Sequence, residues 1–151
     1  TLLIGVLGVG RCLCVALGDS RLYHLGHNGL QQITHDQTLA NRLLSEGFLT
    51  EGDPKYERYS HVLTHAVGSQ STPEVQRHVI EMQEGDVALA CSDGLNNMLD
   101  DPQIAELMAH GLSLDATVSR LVSAANAAGG KDNISVVAAV TTERSLLPLC
   151  G

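Results

Sequence analysis

Short apolar runs open the chain, and breaks that contain glycine separate them. The runs cover residues 2–8, 11–18 and 21–25, and an Asn28-Gly29 turn precedes a fourth run, LQQIT. Short apolar segments bounded by glycine and by an Asn-Gly pair are typical of β-strands joined by tight turns. The pattern therefore predicts a meander of antiparallel strands at the start of the chain.

Helical spacing first appears in residues 37–47, where leucines recur on one side and a glycine supplies the C-terminal cap. The polar, proline-bearing residues 50–60 follow, and we expect them to form an exposed excursion. A second helix is predicted after Asp101-Pro102, because proline suits the first helical turn. Residues 114–128 repeat apolar side chains at helical spacing before two glycines, which predicts a third helix.

Three more strands are predicted around these helices. The runs VQRHVIEM and DVALACS are strand-like and are joined by a hairpin signal, QEGD, while NISVVAAV is typical of a buried last strand. Groups of strands followed by grouped helices favour an α+β layered sandwich of antiparallel sheets over the alternation of a nucleotide-binding fold. The sequence also contains no Gly-rich phosphate loop.

The composition is that of a globular protein, with 44% hydrophobic and 17% charged residues. A length of 151 residues suits one domain, so we expect residues 1–151 to form a single domain. The formal charge of −8 repels phosphate backbones and anionic lipid. Three Tyr, one Phe and no Trp leave few rings for stacking bases. Nucleic-acid and membrane partners are therefore not expected, and we see no spanning helix or signal peptide.

The cysteines contain no C-x-x-C pair. Two of them share one face of a strand and a third lies inside an apolar run, which favours reduced thiols over disulfides or zinc ligands. Reduced thiols predict a cytoplasmic protein. The four residues are Cys12, Cys14, Cys91 and Cys150.

Three aspartates stand at the ends of predicted strands: Asp19 after RCLCVALG, Asp93 after DVALACS, and Asp132 before the last strand. Because Asp93 and Asp132 flank the two-helix excursion, pairing of their strands would bring two carboxylates together, an arrangement that a cation stabilises. Hard oxygen ligands favour Mg²⁺ or Mn²⁺ over zinc. The alternative is that each aspartate is a turn or cap residue, a role in which Asp is common.

Residues beside these aspartates fit a supporting role. Gly94 leaves room for the backbone to turn sharply beside an ion. Ser92 and Asn133 are placed to orient the carboxylates through hydrogen bonds. Beyond these metal ligands, the sequence identifies no catalytic residue.

Four segments of the chain are GDSRLYHLGHNGLQQITHDQTL, VLTHAVGS, EGDVALACSDGLNNML and GGKDNISVVAAV. In this order and spacing they resemble the later motifs of the metal-dependent protein serine/threonine phosphatases of type 2C, the PPM family, particularly its bacterial branch. The resemblance covers residues 8–141, and SDGL together with GGKDNISVV is its specific part. It implies a four-layer αββα sandwich of antiparallel sheets, with two core Mn²⁺ or Mg²⁺ ions at one edge and water as the nucleophile on phosphoserine or phosphothreonine.

By position, the resemblance assigns Asp93 and Asp132 to one of the two core ions, and Asp19 with Asp93 to a third, more loosely bound ion. Residues 37–60 correspond to a helix and a flap-like insert beside the substrate groove. The resemblance also implies phosphoprotein substrates and, as further partners, a Ser/Thr kinase or its targets.

The chain departs from the family pattern in several places. It has no counterpart of the opening motifs, which supply a phosphate-binding Arg, a carboxylate that bridges the metals and an Asp-Gly ligand. Because it starts at Thr1 within a predicted strand, we expect a partial domain that lacks the N-terminal part. Asn96 and Asn97 stand where the family often has an acidic residue. His65 either contacts phosphate or lies on a strand beside the flap, and a lone histidine is more often structural.

Two functions follow from these observations. The first is metal-dependent hydrolysis of phosphoproteins, which we expect to be weak or absent in this chain if the bridging ligand is missing. The second is a non-catalytic module whose sandwich serves as a binding or regulatory surface. Scattered histidines argue against a zinc role, and the absence of a G-x-S-x-G elbow argues against a serine hydrolase.

Overall fold

A computed structural model describes residues 1–50, 52–69, 71–109 and 113–142. The strands are β1 Leu2–Gly8, β2 Arg11–Leu17, β3 Arg21–Gly26, β4 Gly29–Gln32, β5 Gln76–Glu81, β6 Val87–Cys91 and β7 Val136–Val140. The helices are α1 Leu39–Ser45, α2 Lys55–Tyr59, α3 Asp93–Asn96, α4 Asp101–Met108 and α5 Leu114–Ala127. No helix within these described ranges is long and apolar enough to cross a membrane.

The strands form two antiparallel sheets, one ordered β1-β2-β5 and the other β4-β3-β6-β7. A buried cluster joins the sheets face to face, with Cys12, Cys14 and Ile80 from the first and Leu22 and Ala88 from the second. The predicted α+β class with stacked antiparallel sheets is confirmed.

The predicted meander is right for β1 with β2 and for β3 with β4, but wrong for β2 with β3, and the predicted hairpin of β5 with β6 was wrong. The chain changes sheets between β2 and β3, and again between β5 and β6. At the second change, the amide of Gly85 donates to the carbonyl of Thr141 at 3.0 Å, and the amide of Thr141 donates to the carbonyl of Asp86 at 3.0 Å. The turn is therefore tied to the end of β7. Local turn signals specify where a chain bends, not which strand it pairs with.

Helices cover the outer face of the four-stranded sheet. Tyr23 and Leu89 of that sheet pack against Ile104 of α4 and Leu121 of α5, and all four are fully buried. The outer face of the three-stranded sheet is different, because its large aliphatic side chains stay 42–61% exposed and no described helix packs extensively on it. The described residues thus supply three of the four predicted layers. The exposed side chains are Leu2, Ile4, Val6, Leu13 and Val79.

The predicted helices are confirmed with small shifts at their ends. Thr38 caps α1, and the Asp100 carboxylate and the Gln103 side chain form a capping box at the start of α4. The excursion at residues 50–60 contains the unpredicted helix α2. The prediction of a buried last strand was wrong, because β7 is an edge strand with Val137 67% exposed.

Candidate metal centre

Two of the three predicted aspartates lie at the same end of two paired strands in the four-stranded sheet. Strands β6 and β7 are antiparallel neighbours with Cys91 opposite Val136, and the amide of Ser92 donates to the carbonyl of Ser135 at 3.0 Å. Asp93 follows β6 directly and Asp132 precedes β7, so both occupy the same sheet edge. The pairing of β6 with β7 is the one that the sequence analysis required for Asp93 and Asp132 to lie close together.

The residues next to these aspartates hold the two chain segments together. The Ser92 hydroxyl donates to the carbonyl of Asn133 at 3.1 Å and accepts from the amide of Ser135 at 3.0 Å. Gly94 is buried within α3 and its φ is not positive, so the backbone conformation here does not itself require glycine. Instead, a Cβ at Gly94 would collide with the Asn133 carbonyl, which makes glycine necessary for the close approach.

Of the two residues expected to hydrogen-bond the carboxylates, Asn133 does so and Ser92 does not. The Asp93 carboxylate accepts from the side-chain amide of Asn97 at 3.3 Å, one helical turn further on. The Asp132 carboxylate accepts from the backbone amide of Asn133 at 2.7 Å. The hydroxyl of Ser92 contacts backbone groups, so its contribution is to fix the segment that carries Asp132.

Asp19 lies in the loop between β2 and β3 and is electrostatically coupled to the same edge. Burial raises the pKa of its carboxyl above the ordinary value, and the negative charges of Asp93 and Asp36 raise that pKa further. Carboxylates that repel each other in this way are stabilised when a cation binds between them. Asp19 is therefore close enough to Asp93 to feel its charge.

The carboxylates of Asp93 and Asp132 are hard oxygen donors, which fit a hard divalent cation. Within the part of the chain that the structure describes, no three His, Cys, Asp or Glu side chains converge closely enough to hold an ion. Asp93 and Asp132 would therefore supply two ligands, and water or other groups would complete a six-oxygen sphere.

Sequence reasoning missed an ion pair beside this edge. The Arg21 guanidinium donates to both oxygens of Asp36, at 2.9 and 2.7 Å, and to the hydroxyl of Tyr23 at 2.9 Å. Tyr23 in turn donates to the carboxylate of Asp101 at 2.9 Å. The sequence offered two signals, an Arg within the motif GDSR and an Asp just before a helix. Nothing in the sequence joined them, because the partners lie 15 residues apart.

Two cavities meet next to the candidate metal edge, with volumes of about 1100 and 560 Å³. The smaller is lined by Gly94, Asp132 and Lys131, and also by residues of α2. The larger contains His65, whose ring lies 3.0 Å from the hydroxyl of Thr64. His65 belongs to an irregular segment, so the expectation that it sits on a strand was wrong. The walls common to both cavities are Arg21, Asp36, Thr38 and Tyr56.

The chain is similar to bacterial serine/threonine phosphatases over most of its length. It is 32% identical over 147 residues to serine/threonine phosphatase stp of Listeria welshimeri, an alignment that covers 97% of this chain and 57% of that protein. The solved serine/threonine phosphatase of S. agalactiae superposes with a TM-score of 0.81 at 33% identity, covering 91% of this chain and 56% of the other.

A second solved structure contains metal. It is the catalytic domain of the serine/threonine protein phosphatase PstP in complex with two manganese ions, which is 31% identical with a TM-score of 0.75. The superposition covers 92% of this chain and 57% of the PstP chain. No protein-family model matches the chain. The chain thus spans a little more than half the length of these relatives.

Proposed function

We propose that this chain belongs with the bacterial PPM-type serine/threonine phosphatases, to which it is similar in sequence and fold, and that it is part of a metal-dependent catalytic domain that hydrolyses phosphoserine and phosphothreonine in proteins. The observation that supports the proposal is the antiparallel pairing of β6 with β7, which places Asp93 and Asp132 at the same end of the sheet. Residues 1–151 form one partial domain in this proposal, and residues 37–60 are its flap-like insert.

In this proposal, Asp93 and Asp132 hold one of two core Mn²⁺ or Mg²⁺ ions, and Asp19 with Asp93 holds a third. When bound, a divalent ion at this edge would lower the pKa of a coordinated water and neutralise charge on the phosphoryl group. The protein's own groups fix the geometry: Asn97 orients the Asp93 carboxylate, and Ser92 anchors the segment that carries Asp132. Support for manganese comes from PstP, whose related domain binds two manganese ions.

The cavities beside the edge are proposed to receive the phosphoprotein. They adjoin Asp132 at one end and the flap-like insert at the other. Arg21 lines both cavities, but its donors already contact Asp36 and Tyr23, so we assign it a structural role in the cavity wall. A Ser/Thr kinase or its targets would supply the phosphorylated substrate.

A cytoplasmic location also remains a proposal, and it rests on the cysteines. Cys12, Cys14 and Cys91 are buried and free. Burial raises the pKa of Cys14 to about 11 and that of Cys91 to about 12, which keeps both as unreactive thiols.

A non-catalytic module is the second candidate, and one observation favours it. The described residues bring no three metal-binding side chains together, so the carboxylates present form only pairs. Such a module would use the same sandwich as a binding or regulatory surface and would hold a cation weakly or not at all.

Titration calorimetry with Mn²⁺ and hydrolysis of a phosphothreonine peptide separate these functions. We expect Mn²⁺ binding in the wild-type chain and a loss of tenfold or more in affinity for Asp93→Asn and for Asp132→Asn. Glu84→Gln, at an exposed turn, is the control and should bind like wild type. The absence of Mn²⁺ binding in the wild-type chain would favour the module. Hydrolysis that survives Asp93→Asn would refute the assigned metal site.

A further inference from the structure

Asp19 lies between Gly18 and Arg21, and both are hydrogen-bonded to the neighbouring residues 36–37. On its N-terminal side, the amide of Gly18 donates to the side-chain carbonyl of Gln37 at 2.8 Å, and the amide of Gln37 donates back to the carbonyl of Gly18 at 3.0 Å. On its C-terminal side, Arg21 forms the double hydrogen bond with Asp36. The loop that carries Asp19 is therefore clamped at both ends by consecutive residues.

Gly18 cannot be replaced without disturbing this clamp. Its φ is +105°, and a Cβ there would collide with the side chain of Thr1. The loop thus combines a backbone conformation that favours glycine with two hydrogen bonds to a single glutamine. The position of the Asp19 carboxylate depends on that geometry.

Gln37 is itself fixed from the other side. Its side-chain amide donates to the carbonyl of Glu74 at 2.7 Å. Its carbonyl accepts from the amide of Thr64 at 2.8 Å and from the hydroxyl of Thr64 at 2.9 Å. All its polar groups are used, and they connect the Asp19 loop to the segments that follow the flap-like insert.

We infer that Gln37 is a positioning residue for Asp19, and that it sets the affinity of the cation that Asp19 and Asp93 share. The inference rests on the proposed function, because it assumes that Asp19 binds a cation. Groups that orient a ligand typically change metal affinity by 10–100-fold when they are removed. Metal ligands need this support because small displacements remove an ion from its preferred distances.

Gln76 provides a matched control within the same chain. Its side chain accepts from the amide of His35 at 2.9 Å, donates to the carbonyl of His35 at 2.6 Å and lies 3.3 Å from the ring of His78. None of these contacts reaches residues 18–20. At similar side-chain volume, Gln37→Met removes side-chain hydrogen bonds to Gly18 and Glu74, and Gln76→Met removes side-chain hydrogen bonds to His35. Only the first loosens the Asp19 loop, which at Gly18 then keeps only the backbone bond from Gln37.

The test follows amide chemical shifts of the ¹⁵N-labelled chain during a Mg²⁺ titration. We expect Gln37→Met to raise the Mg²⁺ concentration at half-saturation about tenfold for the Asp19 amide and leave that of the Asp132 amide unchanged. Gln76→Met should change neither, and thermal unfolding verifies that both variants fold.

The outcomes separate this inference from the proposed function. Equal effects of the two variants, or no effect of Gln37→Met, would overturn the positioning role and leave the function intact. A response at Asp132 with none at Asp19 in the wild-type chain would also overturn it. The absence of any Mg²⁺ response at either residue in the wild-type chain would refute the metal site and the positioning role together.

Discussion

The two sheets of this molecule differ in what covers their outer faces. On the four-stranded sheet, helices α4 and α5 bury Tyr23 and Leu89 completely. On the three-stranded sheet, side chains of the same aliphatic kind remain 42–61% exposed. The aspartates at 93 and 132 stand on the covered sheet, so the candidate site is built on the better packed half of the molecule. The outer face of the second sheet can therefore stay exposed without affecting the packing beneath the candidate site.

The largest expected effect comes from truncating two leucines, one packed on the covered face and one on the exposed face. Leu121→Ala opens a cavity against the covered face and should lower the free energy of unfolding by about 2–5 kcal/mol. Leu13→Ala, on the exposed face, should cost about 1 kcal/mol or less. Urea unfolding followed by circular dichroism measures both. Equal losses would show that the second face is covered in solution, which would break the comparison.

Next in size is the contrast between two arginine ion pairs. Arg21→Gln removes the hydrogen bonds to the largely buried Asp36 carboxylate and should lower the free energy of unfolding by about 2–3 kcal/mol. Arg42→Gln breaks an exposed pair with Glu46 and should cost about 0.5 kcal/mol or less. Thermal unfolding of both variants decides the matter. A large effect of Arg42→Gln would mean that exposure to solvent does not determine how much these ion pairs stabilise the protein.

The smallest effect concerns pH at the other end of the covered sheet. The amide of Gln83 donates to the Asp86 carboxylate at 2.8 Å and, with His24, holds the pKa of Asp86 below its ordinary value. A lowered folded-state pKa stabilises the protein above the unfolded value near 3.8, and this stabilisation is lost as the pH falls through the folded pKa.

Asp86→Asn should therefore lower the free energy of unfolding by about 1–2 kcal/mol at pH 7, a difference that shrinks below about pH 4. Unfolding midpoints from pH 3 to 7 measure it. Glu84→Gln, in the same turn, should follow the wild-type curve. A difference from wild type that grows as the pH falls would contradict the assigned direction.

Sequence patterns determined the elements of this fold better than their partners. Glycine-bounded runs located β1 to β4 because strand ends are local features. The pairing of β5 with β2 depends on Ile80 opposing Cys12 in a shared core, which no local turn signal encodes. A run of apolar residues read as a buried strand, yet β7 is at an edge because burial depends on which strands lie beside it.

The candidate site was predictable to the same extent. Asp93 and Asp132 could be placed together because their strands flank one helical excursion. The pairing of Arg21 with Asp36, and of Gln37 with Gly18, joins loops whose approach is fixed only by the folded chain. The sequence therefore indicated the carboxylates themselves and not the groups that position them.

Anomalous diffraction at the manganese edge, from crystals grown with Mn²⁺, tests the central claim most directly. The account predicts a peak within about 2.5 Å of carboxylate oxygens of both Asp93 and Asp132. No peak at that edge at saturating Mn²⁺, or a peak only at another acidic cluster such as residues 81–86, would contradict it.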